Sequence, residues 1–262
     1  MITLRFQHYR ACLGLILVST AGLHAGPLFE RLEATHESIL EERRNALPSL
    51  SDPFGVPDVA RVVVESSKDP ILDGMTWKRN VVATVFWVGE EASEENMTPN
   101  DKSAWDPNWK KNFGGYDSPN ARNGWLPKGF VPKMSPFYIA LPYNDVVPGG
   151  MHSPEASKVI PWFWEDYRGD GISVCKGRWV AIHFGGRVCY AQWEDVGPIH
   201  NDHWQYVFGN QAPRANLKDS AGIDVSPAVR DFLHLSSGER VQWRFVHPAQ
   251  VPVGPWKQWD NQ

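Results

Sequence analysis

Two short segments near the C-terminus, Trp193-Glu194-Asp195-Val196-Gly197-Pro198 and Gly222-Ile223-Asp224-Val225-Ser226-Pro227, each set one aspartate beside a backbone device that can hold it still. Asp195 ends an apolar stretch and is followed by the turn formers Gly197 and Pro198. Asp224 stands just before a helix start, with Ser226 as N-cap and Pro227 at the first helical position. A pair of carboxylates fixed at element ends suits general acid/base work on a glycosidic bond. The helix N-terminus is expected to favour the ionised form of Asp224 and lower its pKa. The apolar surroundings of Asp195 beside Trp193 are expected to raise its pKa. Such a split assigns Asp195 as proton donor and Asp224 as its charged partner. Either aspartate could also simply brace its turn or cap.

The elements that must position this pair are legible as β-structure. Arg79 to Val88 is β-branched and aromatic and reads as a strand, and Phe137 to Leu141 resumes that character. Arg178 to Phe184 and Arg187 to Trp193 form a hairpin about Gly185-Gly186. Pro227 to Leu233 reads as a short helix and Arg240 to Val246 as the last strand. Upstream, Pro27 to Ala46 has the spacing of one amphipathic helix, and Val59 to Ser66 reads as a short strand. Three irregular interruptions, over 90–133, 148–171 and 199–221, separate strands that must pair, and loops of this length are usually functional or locally folded.

Composition bounds the rest. Arg5 and Arg10, an apolar run from Ala11 to Val18 and small residues up to Ala25 predict a cleaved signal peptide over 1–25, with Gly22 or Gly26 as the new N-terminus. The run is too short to span a membrane, and no second long apolar run follows. Without Arg5 and Arg10, 24 Lys+Arg face 30 Asp+Glu, a net charge of −6 with no basic stripe, so nucleic acid is not an expected partner. Two cysteines would remain after cleavage, Cys175 and Cys189, and an exported chain is expected to pair them. Register argues against this, because a two-residue turn at Gly185-Gly186 puts Cys189 opposite Ile182. His200, Asp202 and His203 read as a polar loop rather than metal ligands, and no cofactor motif appears, so neither metal nor cofactor is expected. Thirteen tryptophans are many for this length. Most should pack the core, but those in polar company, among them Trp105, Trp109, Trp125, Trp204, Trp256 and Trp259, could offer faces to sugar rings.

The order RWVAIHF-GG-RVCYAQWEDVGP, an interruption, then AGIDVSPAVRDFLHLSSGERVQWRFV resembles the rare lipoprotein A family, whose barrel expansins and family 45 endoglucanases share. Ala83 to Trp87 resembles that family's first strand, and Ser135 to Tyr143 its T-A-A-H-x-x-L-P-F segment. The resemblance implies a mainly β fold: a six-stranded double-psi β-barrel over 79–248 with long loop insertions, one short helix after Ser226, an N-terminal helix within a 26–78 extension, and a 249–262 tail. It implies that Asp195 and Asp224 share a groove walled by the interruptions, with Trp87, Tyr138, Tyr143, Trp193 and Trp204 as candidate sugar contacts. It further implies a peptidoglycan or other β-linked polysaccharide as partner. Two departures bear on activity. The first strand ends Phe86-Trp87-Val88-Gly89-Glu90 without the aspartate base of the endoglucanases, and Tyr138 replaces the family histidine. A lytic transglycosylase tolerates the first loss, since the sugar's own C6 hydroxyl attacks. The alternative is a non-catalytic, expansin-like binding module.

Overall fold

The computed structural model describes residues 75–93 and 98–259. The expected signal peptide, the amphipathic helix over 27–46 and the strand over 59–66 lie outside the described residues.

Six strands close into a mixed barrel in the order β1 (Lys78–Val85), β7 (Ile223–Val225), β4 (Tyr138–Leu141), β6 (Arg187–Val196), β5 (Trp179–Phe184) and β8 (Arg240–Phe245). Two contacts are parallel, β1 with β7 and β4 with β6, and the other four are antiparallel. This arrangement is compatible with a double-psi barrel. The hairpin joining β5 to β6 follows from Gly185 and Gly186, both at positive φ (56° and 79°), as a twisted two-residue turn requires. Alternation does the rest. In β8, Val241, Trp243 and Phe245 are buried while the residues between them are not. With Val81, Ala83, Ile139, Leu141, Val180, Ile182, Trp193, Ile223 and Val225 they belong to the main core. Each large apolar side chain so buried contributes about 1.5–3 kcal/mol. Helix α5 (Pro227–Leu233) begins as read: Ser226 accepts a hydrogen bond from the Val229 amide, and Pro227 occupies the first turn.

The interruptions are folded rather than loose. The first carries α1 (Trp109–Phe113) and a small hairpin of β2 (Arg122–Asn123) with β3 (Leu126–Pro127). Its aromatic residues build a second apolar cluster against the outside of the barrel, where Trp109 and Phe113 meet Phe86, Val88, Tyr138 and Ala140. The second holds α2 (Ala156–Val159) and α3 (Phe163–Asp166), and the third holds α4 (Trp204–Val207). These two lock together through Trp162 and Phe208, whose centroids are 5.8 Å apart and which both pack on Phe245. Asn144 ties all three. Its amide donates to Asn201 O at 2.8 Å, its carbonyl accepts from Ser153 Oγ at 3.0 Å, and its Oδ1 accepts from Trp105 Nε1 at 2.8 Å. The three interruptions thus share hydrogen bonds at one residue.

The expected disulfide is not formed. Cys175 and Cys189 are separate, fully buried thiols. Cys189 lies opposite Ile182 in the hairpin, as the turn demands. Cys175 sits in the preceding turn, where its amide donates to Ser173 Oγ. The C-terminal segment is part of the packing, because Trp256 is fully buried against Phe137, Tyr190 and Phe232. No helix among the described residues is long and apolar enough to cross a membrane.

Candidate functional site

Strand register brings the two predicted acids into one row. Ala140 of β4 pairs with Asp224 of β7 on one side and with Asp195 of β6 on the other, and Asp224 pairs in turn with Thr84 of β1. The residues on either side of this row, Ala83, Val85, Ile139, Leu141, Ile223 and Val225, belong to the main core or pack on it. Alternation therefore turns Thr84, Asp224, Ala140 and Asp195 outward. Ala140 sits between the acids, whose Cα atoms are two strand spacings apart, about 10 Å.

The face is outward but not wet. Asp195 is 8% exposed and Asp224 5%. A turn of the first interruption roofs Asp195: the Ala104 amide donates to Asp195 Oδ1 at 2.8 Å, and so does the Val196 amide. Ser103 Oγ holds this turn by accepting from the Trp105 and Asp106 amides. The Trp105 ring lies 5.5 Å from that of Trp193. Trp193 Nε1 in turn donates to the Asp195 carbonyl at 2.7 Å. Gly197 lies close to the neighbouring acid, and a Cβ there would stand 3.0 Å from Asp224 Oδ2, a tight contact.

Burial raises the Asp195 pKa to about 7; the two amide hydrogen bonds oppose this and the charge of Asp224 adds to it. That is the expected direction. For Asp224 the expectation is corrected. Burial raises its pKa too, against lowering by Lys218 and by the hydroxyl of Thr84. The physical reason is burial, which outweighs these contacts; the carboxylate accepts from Thr84 Oγ1 on the adjacent strand, while Ser226 serves the helix end. Both acids therefore favour the protonated form more than a carboxylate in water.

A third carboxylate escaped the sequence reading. The pairing of β4 with β6 slips between Ile139–Trp193 and Ala140–Asp195, which leaves Glu194 without a partner in β4. Glu194 is 2% exposed, and its Oε2 has no hydrogen-bond partner. Burial raises its pKa to about 7, with Lys176 opposing and Asp106 and Asp195 adding. Strict alternation would have sent it to the face opposite Asp195, and no residue of the motif announces the slip.

The aromatic candidates separate. Tyr138, Tyr143 and Trp193 are buried, at 1%, 0% and 0%, so none presents an open ring face. Tyr138 works as a brace: its hydroxyl accepts from the Val88 amide at 3.0 Å and donates to Asp117 Oδ2 at 2.7 Å. Tyr143 donates to Glu155 at 3.3 Å. Trp87 is partly exposed and donates to the Tyr116 hydroxyl, and Trp204 packs half-buried on the main core. Among the described residues the one tryptophan that is largely exposed is Trp164, at 73%, in the second interruption. His200, Asp202 and His203 face different partners, Ala215 O, Arg214 and Gln211. Among the described residues no group of three His, Cys, Asp or Glu side chains is placed to hold a metal ion. No family model matches this chain, and no curated protein matches it.

Proposed function

We propose that this is an exported polysaccharide-active barrel of the rare lipoprotein A type, working through Asp195 and Asp224. One observation carries the reading: two carboxylates flank Ala140 in a single row, and one of them is pushed to a pKa of about 7. A carboxyl with that pKa holds a proton at neutral pH and can release it, which is what a general acid must do. In the proposed reaction Asp195 protonates the glycosidic oxygen as the bond to the anomeric carbon breaks. The sugar's C6 hydroxyl, or a water, attacks that carbon, and its proton passes to Asp224. Asp195 is only 8% exposed beneath the roof turn, so in this scheme the turn moves aside before a sugar can approach.

The low exposure of the pair favours a second reading, a non-catalytic module that grips glycan without cutting it. Incubation of the exported protein with purified peptidoglycan and with cellulose, followed by mass analysis of the products, separates the two. Cleavage by the wild type that is lost in Asp195→Asn and Asp224→Asn supports the enzyme. Retention on the polymer without products supports the module. Export itself is tested by N-terminal sequencing, which should return Gly22 or Gly26.

A further inference from the structure

On the outer side of the first interruption, an open cavity of about 480 Å³ is lined by Asp101, Lys102, Lys110, Lys111, Gly114 and Lys133, among others. The volume is in the range of cavities that hold small ligands. The whole chain carries a net charge of −4, yet this lining brings four ammonium groups together around one carboxylate. Asp101 is already engaged with Lys110, at 2.9 Å. Lys102, Lys111 and Lys133 are exposed and have no ion-pair partner among the described residues. Like charges lining one cavity repel one another, and a bound anion relieves that repulsion.

The frame is fixed. The Lys110 amide donates to Asp101 O at 3.0 Å, and the Lys133 amide donates to Phe113 O at 2.8 Å. The groove also adjoins the acid row along the chain, since Lys102 immediately precedes the Ser103–Asp106 turn that roofs Asp195.

We infer that this groove binds the acidic groups of a polyanionic polysaccharide. The inference rests on the polysaccharide reading and names the substrate class. The cavity is larger than a single inorganic anion needs. It is lined by no aromatic side chain on which a nucleic-acid base could stack, and by no large aliphatic one to enter a lipid surface. A chain lying in it would run past the edge of the roof turn.

The test is calorimetric titration of the full exported protein with polygalacturonate, neutral hydroxyethyl cellulose and single-stranded DNA. The expected result is binding of polygalacturonate that weakens as salt rises from 50 to 500 mM. The triple variant Lys102→Gln, Lys111→Gln, Lys133→Gln should bind at least tenfold more weakly with an unchanged melting temperature. Lys158→Gln should bind like the wild type, because that side chain is exposed but does not line the groove. Equal affinity for single-stranded DNA, or an unaffected triple variant, overturns the inference. If hydroxyethyl cellulose is bound or cut while polygalacturonate is not, the groove inference falls and the polysaccharide reading stands. If none of these polymers is bound, the groove inference falls, and the incubation with peptidoglycan and cellulose decides the polysaccharide reading separately.

Discussion

The acid row and the lysine groove are reached from the same stretch of chain, yet they treat charge in opposite ways. At the row, Asp195, Asp224 and Glu194 are taken out of water and their proton affinities rise. At the groove, Lys102, Lys111 and Lys133 remain in water. The difference teaches where each region's sensitivity lies. A dry carboxylate responds to pH, because its neutral form is the cheaper one to bury. A wet cation responds to salt, because screening acts within about 10 Å at ordinary ionic strength.

The sharpest break of this contrast is at Asp195. Asp195→Asn keeps the shape and removes the proton, so glycan cleavage should fall by on the order of a hundredfold or more, read as product formed per unit time. A variant with full activity would leave the dry face with no chemical role.

Stability against pH comes next. The folded-state pKa values of Glu194 and Asp195 are about 7, well above those of carboxyls in an unfolded chain. Their contribution is therefore fully present below about pH 4 and is lost as pH rises through about 7. The melting temperature should fall across that window. Glu194→Gln should flatten the fall and at pH 8 should be more stable than the wild type by on the order of 1 kcal/mol or more. Parallel curves for variant and wild type across pH 4 to 8 would mean that Glu194 is as wet as the lysines.

A smaller effect is expected at Gly197. The added methyl of Gly197→Ala meets Asp224 Oδ2 at 3.0 Å and must displace it. A loss of about 1 kcal/mol in chemical denaturation would be in the usual range for crowding at a packed site. No loss would show the carboxylate free to move. The smallest effect belongs to the groove. Lys111→Gln should shift stability by less than about 0.5 kcal/mol, as surface substitutions do. A larger change would mean that this lysine is structural and that the groove is not an open cation surface.

Much of the barrel was legible. Gly185-Gly186 specified the hairpin because two positive-φ residues close a two-residue turn. Ser226-Pro227 specified the start of α5 because a hydroxyl and a preset φ are local devices. The pairing of Cys189 with Ile182 followed from the same turn, and it outweighed the compartment argument for a disulfide. Alternation gave the buried side of β8, where no bulge intervenes. In each case the information lies within a few residues of the place where it acts.

Tertiary structure decided what those strands do to their neighbours. The local motif names Asp195 and Asp224, but only the closure of β6, β4 and β7 sets them on either side of Ala140. The slip that buries Glu194 depends on how β6 meets β4, and no residue type at 194 encodes it. Tyr138 and Trp193 were read as sugar contacts because aromatic rings suit both sugars and cores. The first interruption folds over Tyr138, and Trp193 packs in the main core beside Phe208 and Phe245, so both are packing residues. The direction of the Asp224 pKa turned on burial, which outweighs the lowering by Lys218 and by Thr84, a hydrogen-bond partner 140 residues away in the chain. Sequence fixes the chemistry of a side chain and the period of its element. Burial belongs to whatever packs against it, and pKa, accessibility and role all follow burial.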